Sequence, residues 1–355
     1  MDYIEIKGYK SIKDARVELQ PINILIGANG SGKTNFLSFF EFLNAMYETR
    51  LDEYIARKGS FEKMLHKGSK VTQAINLKLG FGDNAYEVEI KRGDSNFYFI
   101  NSETTYFRNE VILGKDNNQY LGKETKLRFN PEYKVEDIKQ YLSSVRKYHF
   151  QDTGPTSPFG IESNIRNDVY SLYENGKNIA AFLFMLRERN PKTFRRIVQI
   201  VQSVAPYFFE FYLHPNGVDS IALQWRDKLS STIYGVNDLS DGTLRFIALT
   251  VLFMQPDLPS AIIIDEPELG LHPFAIAKLA GMIQSAASRD CQIIVATQSA
   301  DLISHFKPED VITVDQINGE TQFKRLESNE LAIWLDNHTI DDLWKRSIIE
   351  TGQPN

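Results

Sequence analysis

The sequence predicts an α/β fold in which helices cover a β-sheet, together with an antiparallel β subdomain and a short helical insert. Three observations lead to this prediction. Helical and strand-like apolar patterns alternate through residues 240–298, as they do where crossover helices join the strands of a parallel sheet. Residues 71–130 alternate apolar with polar residues between turn sequences. Residues 178–208 contain two adjacent helical patterns.

The first third of the chain is predicted to be mostly strand. Residues 1–30 alternate like strands in YIEIKGYKSIKDARVEL and then in PINILIG. A glycine-rich loop follows, and residues 34–57 have helical periodicity. Residues 71–130 are expected to form an antiparallel meander with turns at GDNA, RGDS and KDNN, and a further helix is expected over 135–147.

The middle of the chain changes character. NIAAFLFMLRERN and PKTFRRIVQIVQSVAPYF have helical periodicity, and Pro191 suits the first turn of the second helix. No heptad pattern is sustained, so this insert is not predicted to be a long coiled coil. The aromatic stretch over residues 206–215 is expected to be a strand that enters the core, and a stacking platform for nucleic-acid bases is the alternative.

The last third returns to strands at residues 220–234 and then alternates. DGTLRFIALTVLFMQ is expected to be a helix, AIIIDE a buried strand, HPFAIAKLAGMIQSAAS a helix and QIIVATQS a second buried strand. Continuous apolar strands of this kind are typical of parallel sheets that are covered on both faces.

Composition narrows the class of protein. The chain has 355 residues, 42% of them hydrophobic and 24% charged, which suits an ordinary globular protein. Its net charge of −6 disfavours a globally basic nucleic-acid binder. The single cysteine, Cys291, excludes an internal disulfide. The N-terminus has no apolar signal core and no apolar run is long enough for a membrane span, so we expect a cytoplasmic protein.

The segment GANGSGKT, residues 27–34, fits the pattern G-x-x-x-x-G-K-[ST]. Glycines allow backbone N–H groups to close around phosphates, Lys33 reaches the β- and γ-phosphates, and Thr34 offers a hydroxyl to magnesium. The N-terminus of the following helix adds partial positive charge. The segment therefore predicts nucleotide binding; the alternative is a glycine turn followed by a surface lysine.

Two further segments suit phosphate chemistry. The apolar strand AIIIDE ends in Asp265, which is placed to support magnesium, and Glu266, which is a candidate general base for an attacking water. In LSDGTLRF, Ser240 and Gly242 precede an apolar helix, so a hydroxyl, free N–H groups and a helix N-terminus could bind an anion. The alternatives are acids that cap a strand and a serine that only caps a helix.

These segments, in this order, resemble the ABC-type ATPases, and most closely the branch that holds SMC, RecF and OLD (overcoming lysogenisation defect) proteins. GANGSGKT resembles the Walker A motif, LSDGT the ABC signature, IIIDEPELGLHP the Walker B motif and D-loop, and ATQSADLI the switch segment. Two further segments resemble those of short, single-domain bacterial AAA-family ATPases, as in anti-phage defence systems: YHFQDTG and the tail WLDNHTIDDLWKRSIIETGQP. The segment YHFQDTG carries the Q-loop glutamine.

The resemblance implies a P-loop NTPase fold of the ABC ATPase type, with a mixed β-sheet, flanking helices, an antiparallel β subdomain and a short helical insert in place of a coiled coil. It implies one ATPase domain over residues 1–355, with an N-terminal lobe (1–159), an insert with strands (160–235) and a C-terminal lobe (236–355).

The resemblance also implies residue roles. The implied catalytic residues are Glu266, Lys33, Gln151 and Gln298. The implied magnesium-binding residues are Thr34, Gln151 and Asp265. The implied nucleotide-binding residues are Lys10, Ser11, Asn29, Gly30, Ser31, Gly32, Lys33, Thr34, Ser240, Asp241 and Gly242. For Lys10 and Ser11, which match an early turn of the family, a solvated hairpin tip is the alternative.

Two positions depart from the family pattern. Gln298 stands where the switch histidine is usual, and glutamine can hydrogen-bond a phosphate or water but cannot carry a proton. Asp241 stands where the signature has its second glycine. From Gln298 we expect either slow hydrolysis or a residue that only senses the γ-phosphate, and from Asp241 a changed local field.

The resemblance implies ATP and Mg²⁺ as ligands and a head-to-tail homodimer, or higher oligomer, that hydrolyses ATP to ADP and phosphate. About 55 residues follow the switch, fewer than the Toprim nuclease domain of OLD proteins needs, so a separately encoded effector such as a nuclease is expected. Two alternatives stay open. The first is a RecF-like repair ATPase that binds duplex DNA through Arg187, Arg189 and residues 192–196; if it does not, these residues form a solvated helix face. The second is an ATP-locked scaffold that hydrolyses ATP rarely.

Overall fold

The computed structural model describes residues 1–93, 97–113, 122–329, 339–345 and 349. It confirms the predicted α/β class. The chain divides into two compact units. The first unit comprises residues 1–146, 259–263 and 292–355, and the second comprises residues 147–258 and 264–291.

The secondary-structure elements are numbered in chain order. The strands are β1 (Tyr3–Tyr9), β2 (Ile12–Glu18), β3 (Ile22–Ile26), β4 (Ala74–Phe81), β5 (Asn84–Arg92), β6 (Tyr98–Phe107), β7 (Glu110–Leu113), β8 (Val145–Tyr148), β9 (Ser163–Asn164), β10 (Phe208–Phe211), β11 (Ser220–Ile221), β12 (Trp225–Asp227), β13 (Ile233–Tyr234), β14 (Ala261–Asp265), β15 (Gln292–Thr297), β16 (Val311–Ile317) and β17 (Glu320–Arg325). The helices are α1 (Lys33–Tyr47), α2 (Leu51–Lys58), α3 (Glu136–Ser144), α4 (Ile179–Arg189), α5 (Pro191–Val204), α6 (Asp241–Met254), α7 (Pro273–Ala287), α8 (Ala300–Ile303) and α9 (Ile340–Lys345).

An antiparallel sheet in the first unit has the strand order β2-β1-β4-β5-β6-β7, which confirms the predicted meander. Its strands alternate buried and less buried residues, as expected when one face packs on a core. Ile75, Leu77 and Leu79 of β4 are buried in the same hydrophobic cluster as Phe39 and Phe42 of α1. Residues 127–129, expected within the strand-rich region, instead form a 3₁₀ turn, and the residues predicted to turn at 115–118 lie outside the described part.

The helix predicted over residues 34–57 is two helices, so this prediction is wrong at residues 48–50. Thr49 has a left-handed φ of 55°. Its N–H donates to the Met46 carbonyl at 3.2 Å, and the Arg50 N–H donates to the Ala45 carbonyl at 2.8 Å. This pair of bonds is the Schellman arrangement that ends helices, here with threonine at the position that glycine usually takes.

A second sheet has the strand order β17-β16-β3-β15-β14-β8. Strand β3 pairs in parallel with β15 and β16, whereas β17 runs antiparallel to β16, so the sheet is mixed. The chain passes from one unit to the other within β8 and within β14. The helix predicted over 135–147 ends at Ser144. The backbone is extended at Val145, where β8 begins, and the side chains of Val145 and Tyr148 are buried.

The second unit contains the helical insert, and α4 and α5 confirm both predicted helices. Pro191 is the first residue of α5, where its missing N–H costs nothing. The aromatic stretch forms β10, which pairs with β12 in a small antiparallel sheet. Phe208 and Phe211 are buried, and Phe208 stacks on Trp225, which confirms the strand that enters the core, whereas Tyr207 and Phe209 are exposed.

In the tail, Trp344 is buried in α9, and Trp334 and His338 lie outside the described residues. Among the residues that the structure describes, no helix is both long and apolar enough to cross a membrane.

Candidate functional site

The glycine-rich loop joins β3 to α1 in the first unit, as the sequence predicts. Gly30 and Gly32 have φ values of 82° and 112°, in the left-handed region that favours glycine. A Cβ atom at Gly32 would overlap the hydroxyl of Thr321, and one at Gly27 would overlap the Val314 carbonyl oxygen. The loop therefore needs glycine both for its backbone path and for its close packing against β16 and β17.

Lys33 is the first residue of α1 and is only 6% exposed. Its ammonium donates hydrogen bonds to the carbonyl oxygens of Gly27 at 2.7 Å and Ala28 at 2.9 Å. The positive charge is thus held inside the curve of the loop. Ammonium groups in this position bind phosphate oxygens in P-loops.

Two further observations show that the loop fits a phosphate group. Helix α1 has Gly32 as its N-cap, without a side-chain cap, and has no acidic residue in its first turn, so the positive end of its dipole suits an anion. Ser31 is 3% exposed, and within the described residues its hydroxyl has no hydrogen-bond partner. A buried hydroxyl without a partner is costly, and a phosphate oxygen would satisfy it.

The predicted pair Lys10 and Ser11 lies against this loop and helix. The Lys10 ammonium donates to the hydroxyl of Ser38 on α1 at 2.7 Å. Ser11 accepts a hydrogen bond from the Asn35 side-chain amide at 2.7 Å. Neither Lys10 nor Ser11 is exposed, in contrast to the alternative of a solvated hairpin tip.

Thr321, on β17, is a site residue that the sequence analysis missed. It is 1% exposed, and its hydroxyl lies 2.7 Å from the Ser11 hydroxyl and 3.1 Å from the Ser31 carbonyl oxygen. Its backbone N–H donates to the Ser11 carbonyl at 2.8 Å. No local pattern marks Thr321, because it is separated by 290 residues from the loop that it contacts.

Gln298 follows β15 and also lies against the loop. Its side-chain amide donates to the Asn29 side-chain oxygen at 2.8 Å. The structure therefore brings together two of the residues that were predicted to contact nucleotide. Both side chains are exposed amides, which can reorient toward a phosphate or a water without a change of charge.

The predicted Walker B residues are in the second unit. Asp265 ends β14, and Glu266 follows with a left-handed φ of 47°. Such a φ is uncommon for glutamate and clusters at functional sites, where surrounding contacts hold it. The Gln151 side-chain amide donates to the backbone carbonyl of Asp265 at 3.3 Å, so the structure brings the predicted Q-loop glutamine to the strand end.

The signature segment lies in the same unit, at the start of α6. Ser240 is the N-cap, and its hydroxyl accepts from the Thr243 N–H at 3.2 Å and donates to the Thr243 hydroxyl at 2.9 Å. Asp241 is exposed in the first helical turn, where a carboxylate suits the helix dipole. A Cβ at Gly242 would overlap the carbonyl oxygen of Gly270, so glycine lets the D-loop pack on the signature.

Arg245, also on α6, is a second residue that the sequence analysis missed. It is 6% exposed and donates to the backbone carbonyls of Phe150 and Gln151, each at 3.2 Å, and to that of Leu269. Burial lowers the pKa of its guanidinium. A charged residue inside the apolar run DGTLRFIALTVLFM was the available clue, because burial of an unpaired charge is costly.

His272 caps α7, where its Nδ1 accepts from the Phe274 N–H at 3.2 Å. Among the residues that the structure describes, no group of three or more His, Cys, Asp or Glu could hold a metal ion.

Comparisons with known proteins agree with these motifs. The family described as "AAA domain, putative AbiEii toxin, Type IV TA system" matches residues 22–304. The "DNA replication and repair protein RecF" of Porphyromonas gingivalis is 23% identical over 243 residues, which are 66% of this chain and 63% of that protein. RecF of Acidothermus cellulolyticus is 30% identical over 112 residues, 31% of this chain and 28% of that protein. Each match spans less than two thirds of the relative.

Solved structures are similar in fold. A Smc head bound to the C-winged helix domain of ScpA matches with a TM-score of 0.59 and 14% identity over 94% of this chain and 99% of that one. A Smc head with an extended coiled coil, bound to the C-terminal domain of ScpA derived from Pyrococcus furiosus, matches with a TM-score of 0.53 and 13% identity over 94% of this chain and 98% of that one. The family match covers most of the sequence, and the fold is that of the SMC heads. The chain therefore belongs to the family described as "AAA domain, putative AbiEii toxin, Type IV TA system", and its sequence and fold are similar to those of the SMC/RecF branch of ABC-type P-loop ATPases.

Proposed function

We propose that this chain is a regulatory ATPase that binds ATP between two copies of itself, hydrolyses it to ADP and phosphate, and controls a separately encoded effector. The observation that supports the proposal is that one chain holds two separate elements that suit an anion. The first is the loop around Lys33, and the second is the helix start at Ser240. One nucleotide in one chain needs only the first element, so the second is free to serve a nucleotide held by another copy.

In the first unit, the loop binds the nucleotide. The Lys33 ammonium exchanges the carbonyl oxygens of Gly27 and Ala28 for phosphate oxygens, and the buried hydroxyl of Ser31 gains a partner. Magnesium, when bound, neutralises phosphate charge, and Thr34, Gln151 and Asp265 are the residues that would hold it. The uncapped start of α1 supports the same charge.

Glu266 is the proposed general base. Its carboxylate takes a proton from the attacking water, so that hydroxide adds to the γ-phosphorus as the bond to ADP breaks. The left-handed backbone at Glu266 supports this role, because strain of this kind persists where the direction of a side chain matters. Gln298 orients water or the γ-phosphate by hydrogen bonds but takes no proton.

Ser240 and Gly242 are proposed to contact the γ-phosphate bound to a partner copy. The Ser240 hydroxyl and the first N–H groups of α6 are the donors, and the position is exposed, as an interface with a second copy requires. ATP then favours the closed dimer, and loss of the γ-phosphate favours its opening. The carboxylate of Asp241, the first residue of α6, is expected to weaken this contact.

The test combines hydrolysis with oligomeric state. We expect steady-state ATP hydrolysis by the purified chain, its loss in Glu266→Gln, and an ATP-dependent dimer in light scattering that Glu266→Gln makes more persistent. Ser240→Arg should abolish the dimer. Ser285→Arg, at an exposed position of α7, is the matched control and should not. ATP-dependent dimerisation and hydrolysis at wild-type levels in Ser240→Arg would show that the sandwich is wrong.

The effector is proposed to be a separate protein, with a nuclease of a bacterial anti-phage system as the expected case. Two findings support a partner. The family description names a Type IV TA system, and a solved Smc head of similar fold is bound to a domain of a different protein, ScpA. Hydrolysis that is unaffected by duplex DNA but lost in Glu266→Gln would indicate that the trigger arrives through another protein.

Direct binding of duplex DNA is the second candidate, and a basic surface favours it. We define the basic turn as the exposed cations at the junction of α4 and α5, which are Arg189, Lys192, Arg195 and Arg196. Within the described part of the chain, none of the four forms an ion pair with an acidic side chain. Free cations on an otherwise acidic protein suit a phosphate backbone.

The DNA candidate is tested by hydrolysis and binding with duplex DNA at several salt concentrations. If the basic turn binds DNA, Arg195→Gln/Arg196→Gln should reduce the slope of log affinity against log salt by about 2, since each phosphate contact contributes about 0.9. Arg57→Gln/Lys70→Gln, which removes two exposed cations of the first unit, should leave the slope unchanged. Equal slopes in both double variants would exclude the basic turn as the DNA site.

A third candidate is an ATP-locked scaffold that hydrolyses rarely. The contact between Gln298 and Asn29 favours it, because an amide at the switch position offers hydrogen bonds without proton transfer. Stable wild-type dimers with ATP, together with turnover no faster than that of Glu266→Gln, would identify this case.

A further inference from the structure

The guanidinium of Arg245 is a buried charge on the signature helix, and its described hydrogen bonds are to backbone carbonyls. Flanking residues of α6 from Leu244 to Phe253 are buried with it. Burial lowers the pKa of Arg245, and the charges of Asp241 and Glu268 partly offset this effect. Burial of a cation is unfavourable unless other groups compensate it, so the groups that surround the guanidinium matter.

Arg245 supplies donors to two separate loops. It donates to the carbonyls of Phe150 and Gln151 in the Q-loop and to that of Leu269 in the D-loop. A guanidinium has five N–H groups in a rigid plane, so one side chain can hold carbonyls from different segments at fixed angles. An apolar residue of similar length would leave these carbonyls without this donor.

Each of the two loops also contacts a proposed catalytic or signature residue. The Gln151 side chain donates to the Asp265 carbonyl, one residue before Glu266. Gly270, next to Leu269, packs against Gly242 so closely that no Cβ fits between them. A displacement of α6 at Ser240 would therefore move the Q-loop and the D-loop through Arg245.

We propose that Arg245 is a positioning residue that couples the signature helix to the Q-loop and the D-loop, so that contact at Ser240 fixes the places of Gln151 and Glu266. This inference rests on the proposed ATPase function. Arg245 belongs to the second unit, and the hydrogen bonds described for it are to backbone carbonyls. Its loss should lower the rate of hydrolysis and leave the binding of nucleotide by the first unit unchanged.

The test uses Arg245→Lys and Arg245→Met, with Arg289→Met as a matched control. Arg289 donates to the backbone carbonyls of Phe253 and Gln255 at the other end of α6, so it makes the same kind of contact away from both loops. We expect kcat to fall roughly ten- to a hundredfold in both Arg245 variants, as for a misplacement of about 1 Å. Affinity for a fluorescent ATP analogue should stay within about twofold of wild type.

Arg245→Lys keeps a charge but cannot reach three carbonyls in a plane, so it should lose most of the effect of the arginine. A second readout does not depend on activity. Hydrogen exchange at the Leu269 and Leu271 amides, which bond to the Glu266 and Glu268 carbonyls, should be faster in Arg245→Met than in Arg289→Met.

A double-variant cycle separates coupling from general damage. If Arg245 acts through the Q-loop, kcat in Arg245→Lys/Gln151→Ala should be close to that of the more impaired single variant. Multiplicative loss, or wild-type kcat in Arg245→Lys and Arg245→Met, would overturn the coupling. A wild-type chain that hydrolyses no ATP would instead overturn the proposed function, and the hydrogen-exchange comparison would then still decide whether Arg245 orders the D-loop.

Discussion

Replacement of Thr321 by valine tests how the glycine-rich loop is held. Valine keeps the buried shape of threonine but removes the hydroxyl that links Ser11 to the Ser31 carbonyl. A single hydroxyl proton can satisfy only one acceptor, so Ser11 must donate to Thr321 when Thr321 donates to Ser31. Removal of the hydroxyl therefore affects two groups at once, the half-buried Ser11 hydroxyl and the buried Ser31 carbonyl.

The expected cost follows from these contacts. A buried neutral group left without a partner costs about 1–3 kcal/mol, and Thr321 is 1% exposed. We expect Thr321→Val to lower the free energy of unfolding by about 2–3 kcal/mol. Thr321→Ser keeps the hydroxyl and loses one buried methyl group, so it should cost only about 1 kcal/mol.

Urea unfolding and nucleotide binding provide the measurements. Because Gly32 and Ser31 lose their support, we also expect Thr321→Val to bind a fluorescent ATP analogue about tenfold more weakly, equivalent to about 1.4 kcal/mol. Thr321→Ser should bind it normally. If Thr321→Val is at least as stable as Thr321→Ser and binds nucleotide with wild-type affinity, the hydroxyl does not hold the loop and the reasoning is refuted.

Three other changes are informative. Gly242→Ala should displace the D-loop at Gly270 and abolish ATP-dependent dimerisation while nucleotide binding persists; a normal dimer would contradict the close packing. Glu103→Gln should lower the free energy of unfolding by about 1.5–3 kcal/mol, because this carboxylate is 6% exposed and accepts from Tyr86, Thr125 and the N–H groups of Lys126 and Leu127. An unchanged midpoint of thermal unfolding would refute this. Burial raises the pKa of Tyr9 to about 12, so the phenol loses its proton at a lower pH in the unfolded chain than in the folded one. The free energy of unfolding therefore falls as the pH rises from about 10 to 12. Tyr9→Phe should reduce that alkaline loss measured by urea unfolding at stepped pH, and an identical pH profile would contradict it.

The sequence predicted those parts of the site that depend on neighbouring residues. The loop, the acidic strand end and the capped helix at Ser240 are local patterns, and each has the expected secondary structure. The break at Thr49 was missed because threonine rarely takes the left-handed position that ends a helix. The strand at Val145 was missed because four residues after a helix give no clear periodicity. Thr321 and Arg245 were missed because their partners are distant in sequence.

Those two missed residues have the same physical role in separate units. Thr321 bonds the backbone of the loop that carries Lys33, and Arg245 bonds the backbone beside Gln151 and the D-loop. Backbone carbonyls are identical in every sequence, so a motif cannot reveal which distant side chain holds them. The motifs supply the groups that face phosphate, whereas the distant side chains fix where those groups lie. Because catalysis depends on position within fractions of an ångström, substitutions at Thr321 and Arg245 should affect function as strongly as many substitutions within the motifs.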